Sequence, residues 1–107
     1  MVVAEESVAI KVIKESVDEL LPGSSVVLFG SRARHENSAD SDYDLMIITD
    51  ASHDNKEQRL LKALIRKKLA RNKIPADVII QSKAEVEINS KIYGHIVRQA
   101  LKEGVAL

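Results

Sequence analysis

The sequence predicts an α/β (α+β) chain, a mixed β-sheet flanked by helices, with its elements in the order α-β-α-β-α-β-α. Three observations carry that prediction. Apolar residues recur at helical spacing near both ends of the chain and over 55–71. Three short runs rich in β-branched residues, 25–29, 42–49 and 76–80, are bounded by turn residues. Capping residues, Pro or Gly stand at the junctions between them. At 107 residues the chain has room for one core but not two, so 1–107 is read as a single domain.

The first helix, from about Ala4 to Leu21, carries Ile10, Ile13, Val17 and Leu20 on one stripe, widened by Val12 and Leu21, and ends at Pro22-Gly23. Ser25 to Phe29 is a buried strand. Gly30-Ser31 opens one or two helical turns, with Ser31 placed to cap the first free amides, and Asn37 to Ser41 is a polar loop. In the second strand, Asp42 to Thr49, a period of two sets Asp42, Asp44 and Met46 on one face and Tyr43, Leu45 and Ile47 on the other. Asp54-Asn55-Lys56-Glu57 has capping-box spacing and starts a helix with Leu61, Leu64, Ile65 and Leu69 that stops before Pro75. Ala76 to Ile80 is the third strand, with Asp77 near its start. A second capping box, Ser82-Lys83-Ala84-Glu85, opens the last helix, where Ile92, Tyr93, Ile96, Val97 and Ala100 continue at core spacing. Asn89-Ser90 is a point at which that helix can divide, and Gly104 is a C-terminal cap.

Composition narrows the function classes. There is no cysteine, which excludes disulfides, thiolate metal sites and cysteine nucleophiles, so any metal must sit on oxygen or imidazole. Sixteen basic residues balance sixteen acidic ones, which argues against a duplex-DNA binder. Three aromatics, Phe29, Tyr43 and Tyr93, are too few for a base-stacking platform. Nucleic acid is therefore not the expected partner. With no apolar run long enough to span a bilayer and no basic start, the chain is expected in the cytoplasm.

The chemistry concentrates between Leu28 and Ile48. Gly30 permits close backbone approach to a phosphate, and the following amides and the Ser31 hydroxyl supply donors. Magnesium favours a few carboxylates plus substrate phosphates over an all-protein cage, and Asp42 and Asp44 offer such a pair. Two carboxylates about 4 Å apart repel by roughly 4 kcal/mol at an effective dielectric near 20, a cost that a divalent cation reverses. Asp77, on the neighbouring strand, can join them and accept a hydroxyl proton. If Ser31 and Asp77 are both to reach Asp42, the first two strands run antiparallel. The second and third then run parallel, with the 55–71 helix as a right-handed crossover. Taken singly, Gly-Ser also fits a plain turn and Asp-x-Asp a solvated strand entry.

Joined in order, the motifs Gly30-Ser31, ten residues, Asp42-Tyr43-Asp44 and a later strand-borne Asp77 resemble the nucleotidyltransferase superfamily that includes the DNA polymerase β palm. The short length and the ending Leu101-Lys102-Glu103-Gly104-Val105 resemble its minimal, MNT-type members. The resemblance implies a nucleotidyltransferase of the protein-adenylylating kind. In it Gly30, Ser31, Arg32 and Ser41 bind the nucleotide, and Asp42, Asp44 and Asp77 are the catalytic and metal-binding carboxylates. It further implies ATP or another NTP as substrate, Mg2+, in two ions, as cofactor, and a helical HEPN-type toxin as partner in a toxin–antitoxin pair. The acceptor is then a hydroxyl, a tyrosine of that toxin, and the acceptor site comes from the partner or from a second subunit of a homo-oligomer. One position departs from the pattern: many relatives read Gly-Ser-x-Ala-x-Gly, and His35 stands in place of the second glycine. Arg34 is a further candidate phosphate contact beside Arg32. Two rival classes remain, an antitoxin that neutralises by binding alone, and an RNA-binding module using Arg59, Lys62 and Arg66 on the basic 55–71 helix.

Overall fold

A computed structural model describes residues 5–107. Its elements are α1 (Glu6–Leu20), β1 (Ser25–Phe29), α2 (Gly30–Ala33), β2 (Tyr43–Thr49), α3 (Asn55–Arg71), β3 (Ala76–Ser82), α4 (Lys83–Asn89), α5 (Ile96–Glu103) and β4 (Val105–Ala106). The strands form one mixed sheet in the order β3-β2-β1-β4. β1 runs antiparallel to β2 and to β4, and β2 runs parallel to β3 with α3 between them, the directions that the site requires. The expected helix start at Ala4 lies outside the described residues.

Alternation along the strands divides the molecule into two layers. On one face α1 and α3 press Ile13, Val17, Ile65 and Leu69 against Val26, Leu28, Leu45, Ile47, Val78 and Ile80, and this is the main core. On the other face Val97 and Ala100 of α5 cover Phe29 and Met46 in a smaller core, with Val27, Ile48, Ile79 and Val86 half-buried around it. Both expected capping boxes are made: Asp54 accepts from Glu57 N and Ser82 from Glu85 N, with the glutamates returning to the cap amides.

The last helix divides at Asn89-Ser90, the expected point, into α4 and α5. Four other expectations are corrected. Tyr93 stands 90% exposed instead of packing, because Gly94, at φ +81°, turns the chain between the two helices. Gly104 is not a left-handed cap. Its backbone is extended and leads into β4, and a Cβ there would collide with the Ala100 carbonyl and the Val27 side chain. Ser31 does not cap α2, which begins at Gly30 and has no side-chain cap. Leu64 is exposed on α3, so the buried stripe of that helix is Ile65 and Leu69, flanked by Leu61.

Candidate active site

The site lies on the thinly covered face, where β1 gives way to α2. Pairing aligns Phe29 with Asp44 across β1 and β2, and Asp44 with Asp77 across β2 and β3. Asp44 is thus set between the end of β1 and the carboxylate of its neighbour. Gly30 follows Phe29 at φ +72°, a conformation that glycine adopts without strain. A Cβ at that position would come within 2.8 Å of Asp44 Cγ and nearer still to Oδ2. The glycine is there because the Asp44 carboxylate lies against its α-carbon.

A cleft of about 400 Å³ opens here, lined by Gly30, Ser31, Arg34, Asp44, Asp77 and Glu103, with Phe29, Ile79, Ile96 and Gln99 as its floor and wall. A slightly larger hollow of about 460 Å³ lies between α1 and the sheet edge at Ala106, but no predicted site residue reaches it. Partial burial first, then the charges of Asp77 and Asp42, raise the Asp44 carboxyl above its ordinary value, and Arg34 partly offsets them. Asp77 is exposed at the rim, whereas Asp42, one residue ahead of β2, is exposed and lies outside the lining of the cleft. Among the described residues no three acidic or imidazole side chains converge as a metal cage. An all-oxygen set of mutually repelling carboxylates beside an open cleft fits a hard divalent cation that completes its shell with substrate phosphates.

Arg32 and Ser41, expected to bind nucleotide, line no part of the cleft. Arg32 is 6% exposed, and its guanidinium lies over the Tyr43 ring at 3.9 Å. Its Nε donates to the Ser41 carbonyl (3.0 Å) and its Nη2 to that of Ala39 (3.1 Å). Arg32 therefore fastens the loop that delivers Asp42, and the Ser41 hydroxyl accepts from Ser38 N within the same loop. Arg34 is the arginine at the cleft.

His35 holds φ at 57°. Its amide donates to the Arg32 carbonyl and that of Glu36 to the Ser31 carbonyl, the paired bonds that close a helix when the residue after its end turns left-handed. The histidine adopts the conformation for which a glycine is usual, so the α2 turn is closed despite the departure. His95 is structural: its Nδ1 accepts from Val97 N at the start of α5.

Glu103 was read in the sequence only as a helix end. In the fold its carboxylate accepts from the Gly30 amide at 3.0 Å and from Arg34 Nη1 at 3.1 and 3.0 Å. Burial opposes its ionisation, but the Arg34 and Gly30 hydrogen bonds prevail and hold its pKa below the ordinary glutamate value.

Comparison with known proteins agrees with this fold. A chain in a solved toxin–antitoxin structure with AMP-PNP shares 18% identity and superposes with a TM-score of 0.60 over 90% of this chain and 69% of its own. A chain in a complex of the tri-AMPylated HEPN toxin of Shewanella oneidensis with its MNT antitoxin gives 15% identity and a TM-score of 0.60, over 95% of this chain and 71% of that one. A Sulfolobus solfataricus protein assigned as a nucleotidyltransferase gives 21% identity and a TM-score of 0.53, over 99% and 89%. No curated protein matches the chain in sequence. The model of the nucleotidyltransferase domain matches residues 10–107, and the chain belongs to that family.

Proposed function

We propose that the protein is a magnesium-dependent nucleotidyltransferase that moves AMP from ATP to a hydroxyl, a tyrosine of a HEPN-type helical partner, and thereby acts as the antitoxin of a toxin–antitoxin pair. The observation that carries this reading is the Asp44 carboxylate, packed on the Gly30 α-carbon, in register with Asp77 and opening on the cleft. Structural neighbours from a toxin–antitoxin structure with AMP-PNP and from a complex with a tri-AMPylated HEPN toxin support the choice of nucleotide and partner.

In this reading the Gly30-Ser31 turn and Arg34 hold the triphosphate tail. Asp42, Asp44 and Asp77 hold magnesium, which neutralises charge on the phosphates and lowers the cost of bringing three carboxylates together. Asp77, at the exposed rim of the cleft, takes the proton of the acceptor hydroxyl. The hydroxyl oxygen then bonds to the α-phosphorus, and the bond from that phosphorus to the pyrophosphate oxygen breaks. The basic side chains Arg59 and Arg66 project from α3, which covers the opposite face, so they take no part in this site.

The test is transfer of labelled AMP to a co-expressed partner. Asp42→Asn combined with Asp44→Asn should abolish transfer, and undiminished transfer would sink the mechanism. A second reading, neutralisation by binding alone, is favoured by one observation: Ile92, Tyr93 and Ile96 lie exposed, and Ile96 also lines the cleft. It requires the double variant to bind and silence the toxin as well as the wild type, with no AMP added.

A further inference from the structure

We propose that Glu103 is a positioning residue for the phosphate-binding turn, tying both ends of that turn to the end of α5 so that Ser31 and Arg34 meet the triphosphate in fixed places. The inference rests on reading the cleft as a nucleotide site. Gly30 opens the turn and Arg34 closes it, and one carboxylate holds both, across 73 and 69 residues of sequence. Glu103 is itself well covered, with 17% of its side chain exposed, while Arg34 is 40% exposed. Arg34 is clasped from a second side, its Nε donating to Glu36 Oε2 at 3.2 Å. Among the described hydrogen bonds, Arg34 Nη2 has no partner. The guanidinium is held by two edges and keeps a free donor at a cleft where an anion is to bind.

A carboxylate beside Asp44 adds a like charge to a site that already has three, and it helps to hold the Asp44 carboxyl above its ordinary value. Ion pairing with Arg34 offsets that charge, its Nη1 being shared between both Glu103 oxygens in charge-assisted hydrogen bonds. Holding a long side chain before the ligand arrives removes part of the ordering cost of binding, which is how an acidic residue can favour an anionic ligand.

The experiment measures binding of magnesium AMP-PNP and of AMP, which lacks the outer phosphates, to wild type, Glu103→Gln and Glu103→Ala. Gln keeps an acceptor for the Gly30 amide and loses the ion pair, whereas Ala loses both. AMP-PNP affinity should fall by roughly tenfold in the Ala variant, the scale of losses on removing a residue that orients a binding group. The Gln variant should fall between Ala and wild type. AMP affinity should stay within about twofold, since the turn grips only the outer phosphates. Amide exchange at Gly30 should quicken in the same order without nucleotide present. Unchanged AMP-PNP binding and unchanged Gly30 exchange overturn the proposal, and so does equal loss of AMP-PNP and AMP, which marks a general structural defect. Tighter AMP-PNP binding overturns it by making Glu103 a competitor for the phosphate site. Wild type that binds no AMP-PNP overturns the nucleotide reading itself, and the phosphate role with it, a result distinct from variants that bind as wild type does.

Discussion

Asp44 and Leu45 are consecutive residues of β2, and they belong to different parts of the molecule. Leu45 is fully buried between Leu28 and Val78, in a core closed by two long helices. Asp44 points the other way, where α5 closes only a smaller core around Phe29 and Met46 and leaves a cleft. One face of the sheet carries the stability and the other carries the charge. The difference teaches how a chain of 107 residues can afford a repelling carboxylate cluster: the cluster shares a strand with the core but no packing.

Asp44→Asn should separate the two most sharply. AMP transfer should fall by on the order of a thousandfold, since a metal-holding carboxylate contributes several kcal/mol to a transition state. Without metal the variant should melt no lower than wild type and should differ in its pH dependence. The folded protein holds the Asp44 carboxyl above its ordinary value, so the native state binds that proton more readily than the unfolded chain does. Its contribution is present at low pH and is lost as pH rises through the folded value. Asparagine has no such titration, so its advantage in melting temperature should grow from the ordinary aspartate range upward. A variant that melts lower at neutral pH would show that Asp44 supports the fold after all.

Leu45→Ala makes the complementary cut. It should cost about 2–5 kcal/mol, the range for removing a leucine from a closed core. Transfer per folded molecule should remain within about twofold, because the strand register around Asp44 is also held by its pairing with β1 and β3. Denaturant unfolding and active-site titration read the two quantities separately. A large loss of specific activity at unchanged folded fraction would mean that the faces are coupled through the strand.

The two faces were also unequally legible in the sequence. A period of two along 42–49 was enough to set Asp42 and Asp44 opposite Leu45 and Ile47, because alternation follows from backbone geometry alone. The capping boxes at Asp54 and Ser82 were equally local, and both are made. What local pattern does not contain is which of two arginines enters the cleft. Arg32 is drawn under Tyr43, and Arg34 is drawn out to a glutamate 69 residues away. The place of Glu103 had no local signal for the same reason. Tyr93 was misplaced because helical spacing was extended across Gly94, and the glycine itself, which takes a positive φ in the fold, was the available warning.

His35 bears on the same division at the smallest scale. Among the described residues it is one of two non-glycine positions with positive φ, the other being Lys73. It occupies the left-handed position after α2, so its side chain carries strain of about 1–2 kcal/mol. Glycine would relieve that strain but lose about 0.5–1 kcal/mol through the freedom of the unfolded chain. His35→Gly should therefore stabilise by roughly 0.5 kcal/mol, visible as a small rise in the denaturation midpoint. AMP-PNP affinity should stay within about twofold, because the Arg32 and Ser31 carbonyls already receive the bonds that close the turn. If affinity rises well beyond that, the imidazole obstructs the phosphate-binding turn and the departure from the family pattern is functional. If it does not, histidine is a tolerated tenant of a glycine's conformation, and the turn is set by Gly30, Arg34 and Glu103.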